Sequence, residues 1–117
     1  MSRLGEIYEN PAVKAFGRAY RRAIRDPRIQ DYASLIDLEN AETPEQLAEA
    51  LRRFLRRNHK AAMDEKEDWY WPGEAHLEEV MRLAGADARS VRLVRAAIES
   101  YALTWEPGVR QGEGGDE

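Results

Sequence analysis

Apolar residues in this chain recur at helical spacing between clear helix start and stop signals, and that pattern leaves room for little except a bundle of helices. Asn10-Pro11 pairs a capping side chain with a proline at the first helical position. Ala12, Val13, Phe16, Ala19, Tyr20, Ala23 and Ile24 then follow at helical spacing. Asp26-Pro27 ends that segment, because the residue before a proline avoids the α region. A second helix is expected from about Pro27 to Glu39. It is apolar over much of its surface and is therefore expected to be the most buried element. Thr43-Pro44-Glu45-Gln46 forms a capping box for a third helix, with Leu47, Leu51, Phe54 and Leu55 inward, reaching about Ala62. Residues 63–73 break the pattern. A fourth helix is expected from Glu74 to about Leu83, stopped by Gly85, and a fifth follows the cap Asp87 and carries Val91, Leu93, Val94, Ala97, Ile98, Tyr101 and Leu103. No alternating β-branched run and no internal repeat is present. The expectation is an all-α fold: a compact bundle of about five helices in one domain, residues 1–106, with a disordered acidic tail at 107–117.

The length of 117 residues suits one such domain. With no cysteine, disulfides, thiolate zinc sites and cysteine nucleophiles are excluded. Met1 to Asn10 shows no apolar run of a signal peptide, and no window approaches the ~20 apolar residues of a membrane span. A cytoplasmic protein is expected.

The net charge of -4 conceals an asymmetry. Residues 1–60 hold 12 Lys+Arg against 9 Asp+Glu, whereas residues 61–117 hold 6 against 13. Apart from Lys14, Lys60 and Lys66, every basic residue is arginine, whose planar fork suits phosphate and carboxylate partners. Two stripes concentrate this charge. Arg18, Arg21, Arg22 and Arg25 are spaced i, i+3, i+4, i+7 on one helix face; Arg52, Arg53, Arg56, Arg57 and Lys60 share a broad face of another. Either stripe can be a solvated surface laced with salt bridges. Yet few carboxylates lie one turn away: Glu49 reaches Arg52 or Arg53, and Asp26 reaches Arg22. Like charges at i,i+4 cost roughly a few tenths of a kcal/mol each, which a partner bearing phosphates or carboxylates would relieve. Two such helices side by side would form one basic surface for a nucleic-acid backbone, positioning it without reading sequence.

The other candidate sites are weaker. Trp69, Tyr70 and Trp71 suit either a protein-docking hot spot or an aromatic cap on the core. The acidic run Asp64, Glu65, Glu67, Asp68 lacks the pattern of a calcium loop, so no metal is expected; it suits a basic partner, such as the arginine stripe of a neighbouring copy. His76 has Glu79 one turn on, too little for a metal site, and His59 has no acid at that spacing. No nucleophile elbow, Gly-rich phosphate loop or other catalytic constellation is present, and neither an enzyme nor a cofactor is expected.

The order of motifs resembles the small subunits of type I CRISPR effector (Cascade-like) complexes. The residues that carry the resemblance are Leu35-Ile36-Asp37-Leu38-Glu39-Asn40-Ala41, Ala48-Glu49-Ala50-Leu51-Arg52-Arg53, Trp71-Pro72-Gly73-Glu74, Val91-Arg92-Leu93-Val94-Arg95-Ala96-Ala97-Ile98 and Tyr101-Ala102-Leu103. The resemblance spans roughly residues 11–105 and rests on a pattern of helices and small-residue positions. It implies a non-catalytic helical subunit of an RNA-guided complex. Its partners would be other subunits, further copies of itself, guide RNA and target or displaced DNA. The arginine stripes are assigned from their charge and spacing, not from the family. The alternative is a helical protein-protein adaptor whose arginines meet acidic partners.

Overall fold

The computed structural model describes residues 3–58, 71–85 and 87–104. Among them lie six α-helices and no strand: α1 (Arg3–Glu9), α2 (Pro11–Arg25), α3 (Tyr32–Glu39), α4 (Pro44–Arg57), α5 (Glu74–Ala84) and α6 (Ala88–Leu103). The described residues are all-helical apart from their loops, with one helix more among them than the sequence pattern suggested. The additional element is α1. Seven residues are too few to display a period, and so short a helix is marginal by itself in water. Tertiary docking holds it: Ile7 is fully buried, the Tyr8 ring tilts against Tyr101 at 5.6 Å, and Tyr101 Oη donates to the Tyr8 carbonyl at 2.6 Å.

Helix α2 is the centre of the bundle. It packs most extensively on α6 and also meets α1, α3 and α5. Nine of its fifteen residues are buried. Gly17 makes the close approach to α6 possible, because a Cβ there would overlap the Tyr101 side chain. Tyr20, Phe54 and Trp71 stack in series, at 3.9 Å and then 5.5 Å between ring centroids. This stack ties α2 to α4 and to the segment entering α5. Among the described residues the Tyr20 hydroxyl has no hydrogen-bond partner, and burial, followed by the Asp31 and Asp37 charges, drives its pKa upward.

Local signals set most helix starts. Asn10 Oδ1 accepts from the backbone N–H of Ala12 and Val13 at 2.8 and 3.3 Å. Its amide also donates to Glu79 at 2.8 Å, fixing the start of α2 against α5. At α4 the capping box forms as expected: Gln46 N–H donates to Thr43 Oγ1 at 3.1 Å, and Thr43 N–H donates to Gln46 Oε1 at 3.3 Å. Asp87 caps α6 through Ser90 N–H at 2.8 Å.

The second predicted helix requires two corrections. It begins at Tyr32, not at Pro27. Asp26 accepts from the Arg28 N–H at 2.8 Å, an Asx-type turn that competes with helix. Gln30 then takes a φ of 47°, in the left-handed region, and Asp31 starts the helix by accepting from Ser34 N–H at 3.2 Å. Nor is it the most buried element. Of its eight residues only Ser34, Leu35 and Leu38 are buried, while Tyr32 and Ile36 are each 54% exposed. An even spread of apolar residues over eight positions does not define a single inward face, and α3 meets its neighbours on one side only.

The expected end of the third helix near Ala62 and the expected tail at 107–117 lie outside the described residues. Among the described residues no helix is long and apolar enough to cross a membrane.

Replacing Gly17 with valine forces branched carbons into the α2–α6 contact. The expected loss is about 3 kcal/mol, read as a lowered thermal midpoint by circular dichroism.

Candidate nucleic-acid interface

Burying so much of α2 leaves one strip to solvent. Apart from Pro11, every residue of the helix that is not buried is a cation: Lys14, Arg18, Arg21, Arg22 and Arg25. The helix itself contains no carboxylate. Some of these cations have partners from outside it. Lys14 pairs with Glu9 at 3.3 Å, Arg22 lies 3.8 Å from Asp26, and Arg21 donates to the Thr104 carbonyl at 3.4 Å. Arg18 is exposed.

The α4 stripe is divided. Arg52 and Arg56 are exposed, with Arg56 only loosely approached by Glu49 at 3.8 Å. Arg53 and Arg57 instead turn toward α3. Arg53 donates to Asp37 at 2.9 Å and to Glu49 at 3.0 Å. Arg57 donates to Asp31 at 3.0 Å. Beyond Glu49, the carboxylates that meet these arginines come from α3 and its cap, which spacing along α4 cannot reveal. Lys60 lies outside the described residues.

The two stripes do not lie on helices packed side by side. Helix α2 rests chiefly on α6, α4 chiefly on α3 and α5, and the two meet through the Tyr20–Phe54 stack. They are linked through the 26–31 loop instead. Asp26 receives a two-pronged bond from Arg28, Nε at 3.1 Å and Nη2 at 2.8 Å, while Arg22 of α2 also approaches it. Asp31 gathers Ser34, Asn58 and Arg57, with the Asn58 amide donating at 2.9 Å. Arg28, absent from both predicted stripes, therefore stands between them. Its lone position before a helix start gives no periodic signal.

These bonds shift the carboxylates. Hydrogen bonds from Arg28 hold Asp26 down at about 2. Burial alone would raise Asp31, but bonds from Ser34, Asn58 and Arg57 outweigh it and lower the pKa. Arg82 and Asn10 hold Glu79 at about 2. Glu79 thus serves Arg82, at 2.7 Å, and not His76, as its spacing suggested. His76 Nδ1 accepts from the Gly73 N–H at 3.1 Å, at the start of α5.

The remaining candidates separate clearly. Trp71 is half-buried and stacked on Phe54, so at least part of its surface belongs to the core. Trp69, Tyr70, His59 and the acidic run 64–68 lie outside the described residues. An open hollow of about 310 Å³ lies between the end of α3 and the start of α4, bordered by Asp37, Asn40, Glu45, Gln46, Glu49 and Arg53. Among the described residues no group of three or more His, Asp or Glu is placed to hold a metal ion.

An uncharacterized protein of Archaeoglobus fulgidus is 43% identical to this chain over 103 residues, covering 86% of this chain and 82% of its own. The chain belongs to the family of that archaeal protein. No family model matches it, and no solved structure gives a significant match. Family membership at this identity carries the helical fold across the two chains, but the relative's name assigns no activity.

Asp26, Asp31 and Glu79 are all held below ordinary carboxylate values. The stability they contribute is complete above pH ~4, the unfolded-state value, and is lost as pH falls through the lowered folded values. Urea midpoints should therefore drop steeply between pH ~4 and ~2. Asp31→Ala removes a helix cap and strands Arg57 and Asn58, so it should cost about 3 kcal/mol at neutral pH in the same assay.

Proposed function

We propose that the protein is a non-catalytic subunit of an RNA-guided CRISPR surveillance complex that contacts a nucleic-acid backbone. The observation that carries the reading is the solvent strip of α2, whose members beyond Pro11 are all lysine or arginine. A backbone of regularly spaced phosphates is the partner that such a strip suits best, because it neutralises several aligned cations at once and releases counterions. Arginine's fork adds two-pronged bonds to phosphate oxygens. The contacts position a strand without reading its bases.

The assignment to a CRISPR complex rests on the resemblance to the type I small subunit, and the all-helical architecture is compatible with it. In that role the protein sits among other subunits and copies of itself, in the cytoplasm. It steadies target or displaced DNA beside the guide RNA and needs no cofactor, metal or small-molecule substrate. Within the candidate set, α2 takes precedence over α4. Arg18, Arg21 and Arg25 would meet phosphate together with the outward Arg52 and Arg56, whereas Arg53 and Arg57 are engaged by α3.

The test has two parts. First, affinity purification of the tagged protein from its native cells should recover a guide RNA and a multi-copy partner protein. Recovery of protein partners alone would favour the adaptor reading. Second, changing Arg18, Arg21 and Arg25 together to alanine should weaken binding to oligonucleotides of every sequence alike. The salt slope should fall by about 3, since each arginine neutralises one phosphate. Unchanged affinity and slope would remove α2 from the interface.

A further inference from the structure

One exposed feature is not explained by backbone contact. Tyr32, the first residue of α3, is 54% exposed although it is a large aromatic. Ile36, one turn on and on the same face, is equally exposed. Among the described residues no other ring packs on Tyr32. An aromatic face left in water is an unfilled contact, and its surroundings indicate what fills it.

Two arginines are held by residues that precede it in the chain. Before it in the chain is Arg28, 81% exposed and held by Asp26 at 2.8 Å. Asp31, the residue next to Tyr32, holds the half-exposed Arg57 of α4 at 3.0 Å. Asp26 also leads back through Arg22, at 3.8 Å, to the cationic strip of α2. Tyr32 thus directly follows the 26–31 loop, whose two carboxylates each hold an arginine. Arg28 is fixed by Asp26, so its plane is set before any partner arrives and less side-chain freedom is lost on binding.

We infer that Tyr32 is a stacking platform for an unpaired nucleobase, making the basic track selective for single-stranded nucleic acid. A base in a duplex is already stacked and presents its face to its neighbours, so only an unpaired strand can lay a base on Tyr32 while its phosphates lie along Arg28 and the α2 strip. Every base has a π-face, so the contact is indifferent to sequence. The exposed Arg28 and the cationic strip of α2 favour this anionic occupant over an apolar protein segment. The inference rests on the backbone-contact reading above and adds to it a strand type and a residue.

The experiment uses the full chain and fluorescein-labelled oligothymidylate of about 20 nucleotides, with a duplex of equal length beside it, read by anisotropy at two salt concentrations. Wild-type protein should prefer the single strand. Tyr32→Ala should weaken single-strand binding about tenfold, with duplex affinity and salt slope unchanged, while Tyr32→Phe retains wild-type binding. Because the residue is exposed, thermal melts should coincide for all three proteins. If Tyr32→Ala binds the single strand as wild type does, while the α2 triple variant binds it more weakly, stacking is overturned and backbone contact stands. An equal weakening on both probes also overturns stacking, because a base-face contact cannot serve a duplex. If wild type binds neither probe, both readings fall together.

Discussion

The contact between α2 and α6 is the constraint on which the rest of this molecule depends. It requires a glycine at position 17, where the Tyr101 side chain occupies the space of a side chain. Tyr101 in turn donates to the Tyr8 carbonyl, so the same residue that needs Gly17 also holds α1 in place. With α1, α3, α5 and α6 around it, α2 can meet water only along a narrow strip. Charge must go somewhere on a helix otherwise made largely of alanine, valine, phenylalanine and isoleucine, and it is concentrated on that strip. The alignment of its cations is therefore a consequence of how thoroughly the rest of the helix is buried.

The opposite case is α4, which buries only four of its fourteen residues and has a broad solvent face. Two of its arginines are used to hold the bundle together. Arg57 and Asn58 at the end of α4 converge with Ser34 on the Asp31 carboxylate, itself buried. A buried carboxylate without such donors would be costly, since desolvation penalises its charge. With them it joins the start of α3 to the end of α4. Arg53 and Asp37 repeat the link partway along the helix. Arginine content alone therefore overstates the charge that α4 can offer a partner.

Helix starts are legible in the sequence to the extent that they are local. Asn10, Thr43 with Gln46, and Asp87 each bond to backbone two or three residues on, and so short a motif suffices to announce them. The start of α3 at Asp31, and not at Asp26-Pro27, is not legible in the sequence, because the residues between the two carry no periodic signal. The Asp26–Arg28 turn and the positive φ of Gln30 separate the two. Helix α1 is hidden for the related reason that its stability comes from docking. The site shows the same division. Arg18, Arg21, Arg22 and Arg25 are visible as a spacing, whereas Arg28 and Tyr32, single residues at a loop and a helix start, form no pattern.

The sequence by itself determined that the chain is helical, where most of its helices begin, and that its cations gather on two of them. Those properties follow from bonds and spacings within one or two helical turns. Tertiary structure decided which arginines of α4 are held by carboxylates from another part of the chain. The carboxylates that settle the matter, Asp37 for Arg53 and Asp31 for Arg57, lie 16 and 26 residues away along the chain. Helical periodicity specifies the face on which a side chain sits, but not the helix that will pack beside that face.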